Sequence, residues 1–519
     1  MTASIRSLSP SLVVTILLGI ILLLLPFGEQ VFAQAEKEQP AWLRAIDSLS
    51  SERMLADVRT LSGPAFNGRQ TGTADDASSA KWIAERFLAS GLSLANVHVD
   101  PTYPMEPSRD GEATGLMTTA ITAPKIAPNT RLRISTASDS LTKQLGTDYL
   151  PILDSPSAEV LGPIVFVGYG IIDATQGIDD YAGVDTANAI VLFLRGTPTH
   201  YKGTVSHADK VRFARQNGAS AYLTATGPVL SPYEVRRGVT GKPSAFYGLS
   251  PQSETIPGAW INTALAEQIL TAPDQAQPSR LHALQETLNR SPATQSINTG
   301  RDGALDWQTR SDEGLLMNVL AFLPGNDPEM TQEIIVIGAH RDHFGRQAGL
   351  LFPGADDNAS GTAVMLEVAR TMAETGARGK RTVLFVSFSG EEQGFVGSRL
   401  YLQRPVAPIS STKGMINIDH AGAGNGRLTI GVTGFEKSVA LEAGHTAGLT
   451  DKLDVYGFFP GGDHVPFKEA GVPTVTIVSG GIHPDFHQPT DTADTINPDI
   501  LQTAARYMLA LTWQLTNAP

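Results

Sequence analysis

Four short apolar runs in the second half of the chain each give way to acidic residues or histidines, and this repetition most narrows the possible folds. Glu333–Ala339 leads into His340 and Asp342, and Thr382–Phe388 into Glu391 and Glu392. Met415–Ile418 leads into Asp419, and Thr474–Val478, entered through Pro473, leads into His483 and His487. Near-continuous apolar runs of this length suit strands buried on both faces, and a proline just ahead of a strand is well placed. Between the first two runs lies a helix candidate, Ser360–Ala373, whose apolar members include Val364, Leu366, Val368, Ala369 and Met372. Asp356 and Asp357 stand just before it. Strand alternating with helix predicts an α/β unit with a mixed, mainly parallel central sheet flanked by helices. Such sheets open a crevice beyond the carboxyl ends of their strands. One crevice would therefore collect all of these polar side chains.

The rest of the chain is organised differently. At 519 residues it exceeds one ordinary domain. Residues 34–149 hold a helix candidate, Thr73–Ala89, preceded by Gly68-Arg69-Gln70-Thr71-Gly72, which is expected to be a plain turn. Residues 150–300 carry short β-rich runs, such as Pro163–Gly170 and Ala189–Gly196, with one helix candidate at Ala208–Asn217. This predicts an inserted, mostly β domain, followed by the catalytic unit at 301–519. The polar stretch Ala272–Asp312 is expected to be a connecting segment.

Residues 1–33 combine Arg6, the apolar run Leu12–Leu25 and the small-residue site Val31-Phe32-Ala33. That pattern predicts a signal peptide cleaved after Ala33, hence export to periplasm or medium; uncleaved, the segment would be a membrane anchor. The chain has no cysteine, which excludes disulfides, thiol catalysis and cysteine-zinc sites. A net charge of -13 without a basic run argues against nucleic acid as a partner.

Taken singly, each polar cluster has an ordinary explanation. His-x-Asp can be a hydrogen-bonded pair, paired Asp a helix cap, paired Glu a solvated surface and a strand-end Asp a turn residue. Together they deliver two imidazoles and three carboxylates to one sheet edge, with a further carboxylate to spare. Two adjacent zinc ions need that set: nitrogen and oxygen ligands, a shared carboxylate and a group to move protons.

The motifs GAHRDHFG, GADDNASGTAVMLEVAR, FSGEEQGFVGS, INIDHAG and HQPTDTADTIN resemble the co-catalytic di-zinc aminopeptidases, a family that also holds glutamate carboxypeptidase II and the transferrin receptor. The middle of the chain, with VFVGYGI and KVRFARQNGASA, resembles the protease-associated domain inserted in many members. The resemblance implies that His340 and Asp419 bind one zinc, Glu392 and His487 the other, and that Asp357 bridges them. It implies that Asp342 orients His340, and that Glu391 is general base and then general acid. Asp356 is then a neighbour only. Peptides would be the substrates, cleaved from the N-terminus through a metal-bridging hydroxide. A carboxypeptidase or dipeptidase on the same core, a one-zinc glutaminyl cyclase, and a non-catalytic binding protein are the alternatives.

Two positions depart from the family pattern. Phe486 stands where many relatives have a tyrosine, and Gly462 begins a triplet that usually starts with serine. His343, His420, His445, His464 and His483 are expected to be ordinary structural histidines.

Overall fold

The computed structural model describes residues 39–97, 114–135, 140–230, 234–235, 240–271 and 280–519. The expected signal peptide lies outside them. After a first short helix, Ala41–Ser48, the helices α1 (Ser51–Leu61) and α2 (Ala74–Ala89) precede the long strand β1 (Leu116–Ile126). The chain then builds a second sheet from β2 (Ala158–Phe166), β3 (Ile190–Leu194), β4 (Ala221–Ala225) and β5 (Gly258–Ile261), closing with β6 (Ile297–Trp307). It returns through β7 (Thr309–Leu323) to β8 (Ile334–His340), α3 (Gly361–Thr375) and β9 (Thr382–Phe388). The last elements are β10 (Thr412–Asp419), β11 (Leu428–Thr433), β12 (Thr474–Ser479) and α4 (Pro498–Asn517).

The main sheet runs β7-β9-β8-β10-β12-β11, with β1 paired to β7. Its centre, β9-β8-β10-β12, is parallel throughout, and β7 and β11 join it antiparallel. This is the mixed, mainly parallel sheet that the apolar runs predict. Every residue of β8 and β9 is buried, which is why their sequences read as unbroken apolar stretches. One face packs against the helices through Val364, Val368, Leu501 and Met508, the other against Tyr401 and Phe467. Burying each such side chain stabilises the fold by about 1.5–3 kcal/mol. Helix starts follow their caps: Thr73 accepts from the Asp76 amide at α2, and Asn497 precedes Pro498 at α4.

The second sheet gathers strands from Arg131 to Trp307, wider at both ends than the 150–300 insert read from the sequence. Its central strands β2-β3-β4-β5 are parallel. The stretch Ala272–Asp312 is more than a connection. Its described part holds the helix Arg280–Arg290, all of β6 and the start of β7. Alternating exposure along β6 breaks the apolar pattern that would have marked it. Chain exit and return are adjacent: Ile126 pairs with Thr309, and the Ala127 amide donates to the Gln308 carbonyl at 2.9 Å. Among the described residues no helix is long and apolar enough to cross a membrane.

Candidate active site

The four parallel strands end on one side of the sheet and aim their following residues at one another. His340 is the last residue of β8 and Asp419 the last of β10. His340 Nε2 lies 3.3 Å from Asp419 Oδ1 and 3.3 Å from Asp357 Oδ1. The other oxygen of Asp357 faces the opposite way, 2.9 Å from His487 Nε2, which is itself 3.6 Å from Glu392 Oε2. Asp357 therefore stands between two donor groups, one with His340 and Asp419 and one with His487 and Glu392. Donors about 2.1 Å from a tetrahedral zinc lie about 3.4 Å apart, so these spacings fit a cation in each group.

Main-chain carbonyls decide which imidazole nitrogen is bare. His340 Nδ1 lies 3.2 Å from the Asp342 carbonyl oxygen, and His487 Nδ1 lies 2.7 Å from that of Ala245. A carbonyl only accepts, so both rings carry their proton on Nδ1 and present the Nε2 lone pair to the cluster. Ala245 belongs to the second sheet's part of the chain, which thus touches the site directly. The Asp342 carboxylate is 3.7 Å from His340 Nδ1 and is engaged elsewhere. It accepts from the Thr71 hydroxyl and, at 3.3 Å, from the Glu391 amide. Asp342 thereby ties the Glu391 loop to the His340 loop.

The turn bearing Asp357 is held from several directions. Asp491 accepts from the amides of Asp356 and Asp357 at 2.8 and 3.1 Å. Gly354 has a positive φ of 60°, and a Cβ there would sit 2.3 Å from the Asp357 carbonyl oxygen, so only glycine fits. The Gly68–Gly72 loop is no plain turn. Arg69 is fully buried and donates to the carbonyls of Leu61, Arg341, Pro353 and Gly354. Its charge is satisfied by main-chain oxygens of the two site loops that it clamps together.

Histidines expected to be merely structural also enter the cluster. His343 Nδ1 lies 2.7 Å from Glu392 Oε1, and His343, Asp357 and Glu392 together could hold a metal ion. His420 Nε2 lies 3.7 Å from both Asp357 Oδ2 and Asp419 Oδ1. His483 meets Asp356 Oδ2 through Nδ1 and the Ser479 carbonyl through Nε2. The other Asp356 oxygen accepts from the Gly422 and Ala423 amides. His343 sits three residues past His340, and His420 next to Asp419; that proximity was the available signal. Ala245 gave none, because it acts through its carbonyl.

Burial pushes the Glu391 carboxyl well above its ordinary range, with Asp419, Asp463 and Asp357 adding to the effect against His340. Burial and the neighbouring Asp357 and Glu391 do the same to Glu392. So many carboxylates in one buried place is an arrangement that cations relieve. The site opens into a cavity of about 810 Å³ lined by Glu391, Glu392, Asp419, His420, Phe486 and His487 on this side. Phe486 stacks on His487, ring centroids 3.7 Å apart, and offers no hydroxyl there.

Residues 318–512, which hold every one of these ligand candidates, match the model of peptidase family M28. This segment belongs to that family. The M28 segment extends from within β7 to within α4 and excludes the second sheet. Its similarities in sequence include a probable leucine aminopeptidase of Arthroderma otae, 28% identical over 218 residues, or 39% of this chain and 58% of that protein. Aminopeptidase YwaD of Bacillus subtilis is 28% identical over 193 residues, 35% of this chain and 41% of that protein. The chain thus matches less than two thirds of the length of either relative. Among solved structures, the aminopeptidase from Aneurinibacillus sp. strain AM-1 aligns with a TM-score of 0.62 at 22% identity, covering 91% of this chain and 96% of that one. The fold is therefore shared along nearly the whole length, second sheet included.

Proposed function

We propose that this chain is an exported zinc-dependent aminopeptidase that removes N-terminal residues from peptides. The observation that carries this is the split of Asp357 between two imidazole-carboxylate groups, each with a bare Nε2 facing inward. His340 and Asp419 would hold one zinc, Glu392 and His487 the other, with Asp357 shared; His343, beside Glu392, is a further donor in reach. Zinc bound there supplies Lewis acidity toward the scissile carbonyl and toward a water.

Glu391 is the proton carrier. It lines the cavity beside the ligand Glu392, and Asp342 fixes its backbone. A raised carboxyl affinity for protons suits a group that takes one from water and returns it to the departing amine. The aminopeptidase names of the relatives agree with this reading. The second sheet is in our view the protease-associated domain, and residues 1–33 the signal peptide that exports the chain.

Metal content and activity measured together test the proposal. Expected are two zinc ions per chain and chelator-sensitive cleavage of aminoacyl-anilides, with N-blocked versions untouched. Cleavage of blocked peptides from the C-terminus would instead make it a carboxypeptidase. A chain that binds no zinc when saturated with it would refute the central claim.

A further inference from the structure

His343 stands beside Glu392 with two uses open to it. Its Nδ1 lies 2.7 Å from Glu392 Oε1, and a cation among His343, Asp357 and Glu392 would find that nitrogen as a ligand. The same nitrogen could instead carry a proton and donate it to the carboxylate. The far side of the ring separates the two uses. At His340 and His487 the nitrogen turned away from the cluster meets a main-chain carbonyl, which holds the proton there and bares the other lone pair. His343 has no such acceptor: its Nε2 is buried without a hydrogen-bond partner among the described residues. A proton on Nε2 would be a buried N–H left unsatisfied, whereas a proton on Nδ1 meets an anionic oxygen. The proton therefore belongs on Nδ1, where it removes the lone pair that a metal would need.

The ring is also packed in place. It is buried, its centroid lies 4.5 Å from that of Phe344, and a Cβ on Gly354 would come within 2.6 Å of its Cγ. The main-chain amide of His343 donates to the Arg69 carbonyl at 3.3 Å. Glu392 thus has its two oxygens sorted: Oε1 meets His343, and Oε2 faces His487 Nε2 at 3.6 Å. We propose that His343 is a positioning residue and not a ligand, its Nδ1–H holding Glu392 Oε1 so that Oε2 is the oxygen presented to the cation shared with His487. This rests on the zinc aminopeptidase reading and deepens it.

The test is a zinc titration of the full chain unaltered, as His343→Ala and as His343→Asn. An asparagine amide nitrogen stands about where Nδ1 does; it donates a proton but has no lone pair to lend a metal. Both substitutions remove the ring and its packing, so the difference between them isolates the N–H. Expected is one zinc step weakened about 10–100-fold in His343→Ala but within about threefold of the unaltered chain in His343→Asn. The other step is the reference inside each variant, so a smaller folded fraction lowers the zinc bound and not the ratio of the two affinities. A His343→Asn step nearer to that of His343→Ala than to that of the unaltered chain overturns the donor role and makes His343 a ligand. Two unchanged steps in His343→Ala overturn the positioning of Glu392. Either result leaves the zinc reading standing, because the unaltered chain still takes up its ions. An unaltered chain that binds no zinc overturns that reading, and the role of His343 with it.

Discussion

A histidine lends a lone pair to a cation only when its proton sits on the other ring nitrogen, and here two carbonyl oxygens arrange that for His340 and His487. In the function proposed above, Glu391 is the carboxylate that carries protons. Glu391→Gln keeps the shape and removes the base, so kcat should fall about 10²–10⁴-fold with zinc content unchanged by elemental analysis. A titrating residue beside the second sheet, outside the candidate ligand set, gives a cleaner pH prediction. Asp180, 4% exposed, accepts from the amides of Tyr169 and Ile171, yet burial pushes its carboxyl up to about 6. The folded state then holds more protons than the unfolded one between the ordinary value of 3.8 and about 6. Asp180 thus favours folding below about pH 4, and this contribution is lost as pH rises to about 6. Asp180→Asn should remove that slope, a difference of about 2–3 kcal/mol across the window, measured by urea unfolding at each pH.

At the scale of elements, the strands that sequence reveals best are those buried on both faces. Thr382–Phe388 is read from its apolar letters with both ends correct, because no solvent-facing residue interrupts it. The start of β7, Thr309-Arg310-Ser311-Asp312-Glu313, is as much a strand, but its exposed side chains read as a linker. The same contrast holds in the site. Candidate side-chain ligands at strand ends are visible in the sequence, whereas Arg69 and Ala245 act on main-chain atoms or through them, and nothing in their letters announces it. Arg341 is a further case, fully buried just beyond β8. It lies 2.8 Å from Asp76 in the first turn of α2 and donates to the Met317 carbonyl of β7. This pair fastens a helix to the sheet edge. Asp76→Ala leaves a buried guanidinium without its counter-charge and should cost about 3–5 kcal/mol, read as a lower denaturation midpoint. Arg86→Ala on the same helix, an exposed partner of Asp57, should cost under about 1 kcal/mol.

At the scale of the whole molecule, the second sheet hangs from a single hairpin yet reaches back to the candidate metal site. β1 and β7 pair along their length up to Ile126 and Thr309, so a two-residue Asn-Gly turn can join these residues without disturbing the register. The second sheet has its own core around Phe166, Leu192, Leu223 and Trp307, separate from that of the main sheet. Excising residues 127–308 should therefore leave a folded, cooperatively melting M28 unit. It loses the Ala245 carbonyl on His487 Nδ1, the contacts of Gln488 with Pro243 and Ser244, and the packing of Leu150, Leu153 and Tyr247 on Phe344 and Phe352, which Phe344→Ser and Phe352→Ser in the excised chain would offset. Without that acceptor the His487 proton is free to move to Nε2, where it blocks the lone pair. Losing the acceptor that orients a ligand histidine weakens metal affinity about 10–100-fold. The weakening should fall on the Glu392–His487 site, leaving the His340–Asp419 site close to its original affinity. A zinc titration of the excised chain should thus resolve one tight and one weakened step where the full chain is expected to show two tight ones. Two unchanged steps would mean that the second sheet contributes nothing to the metal centre.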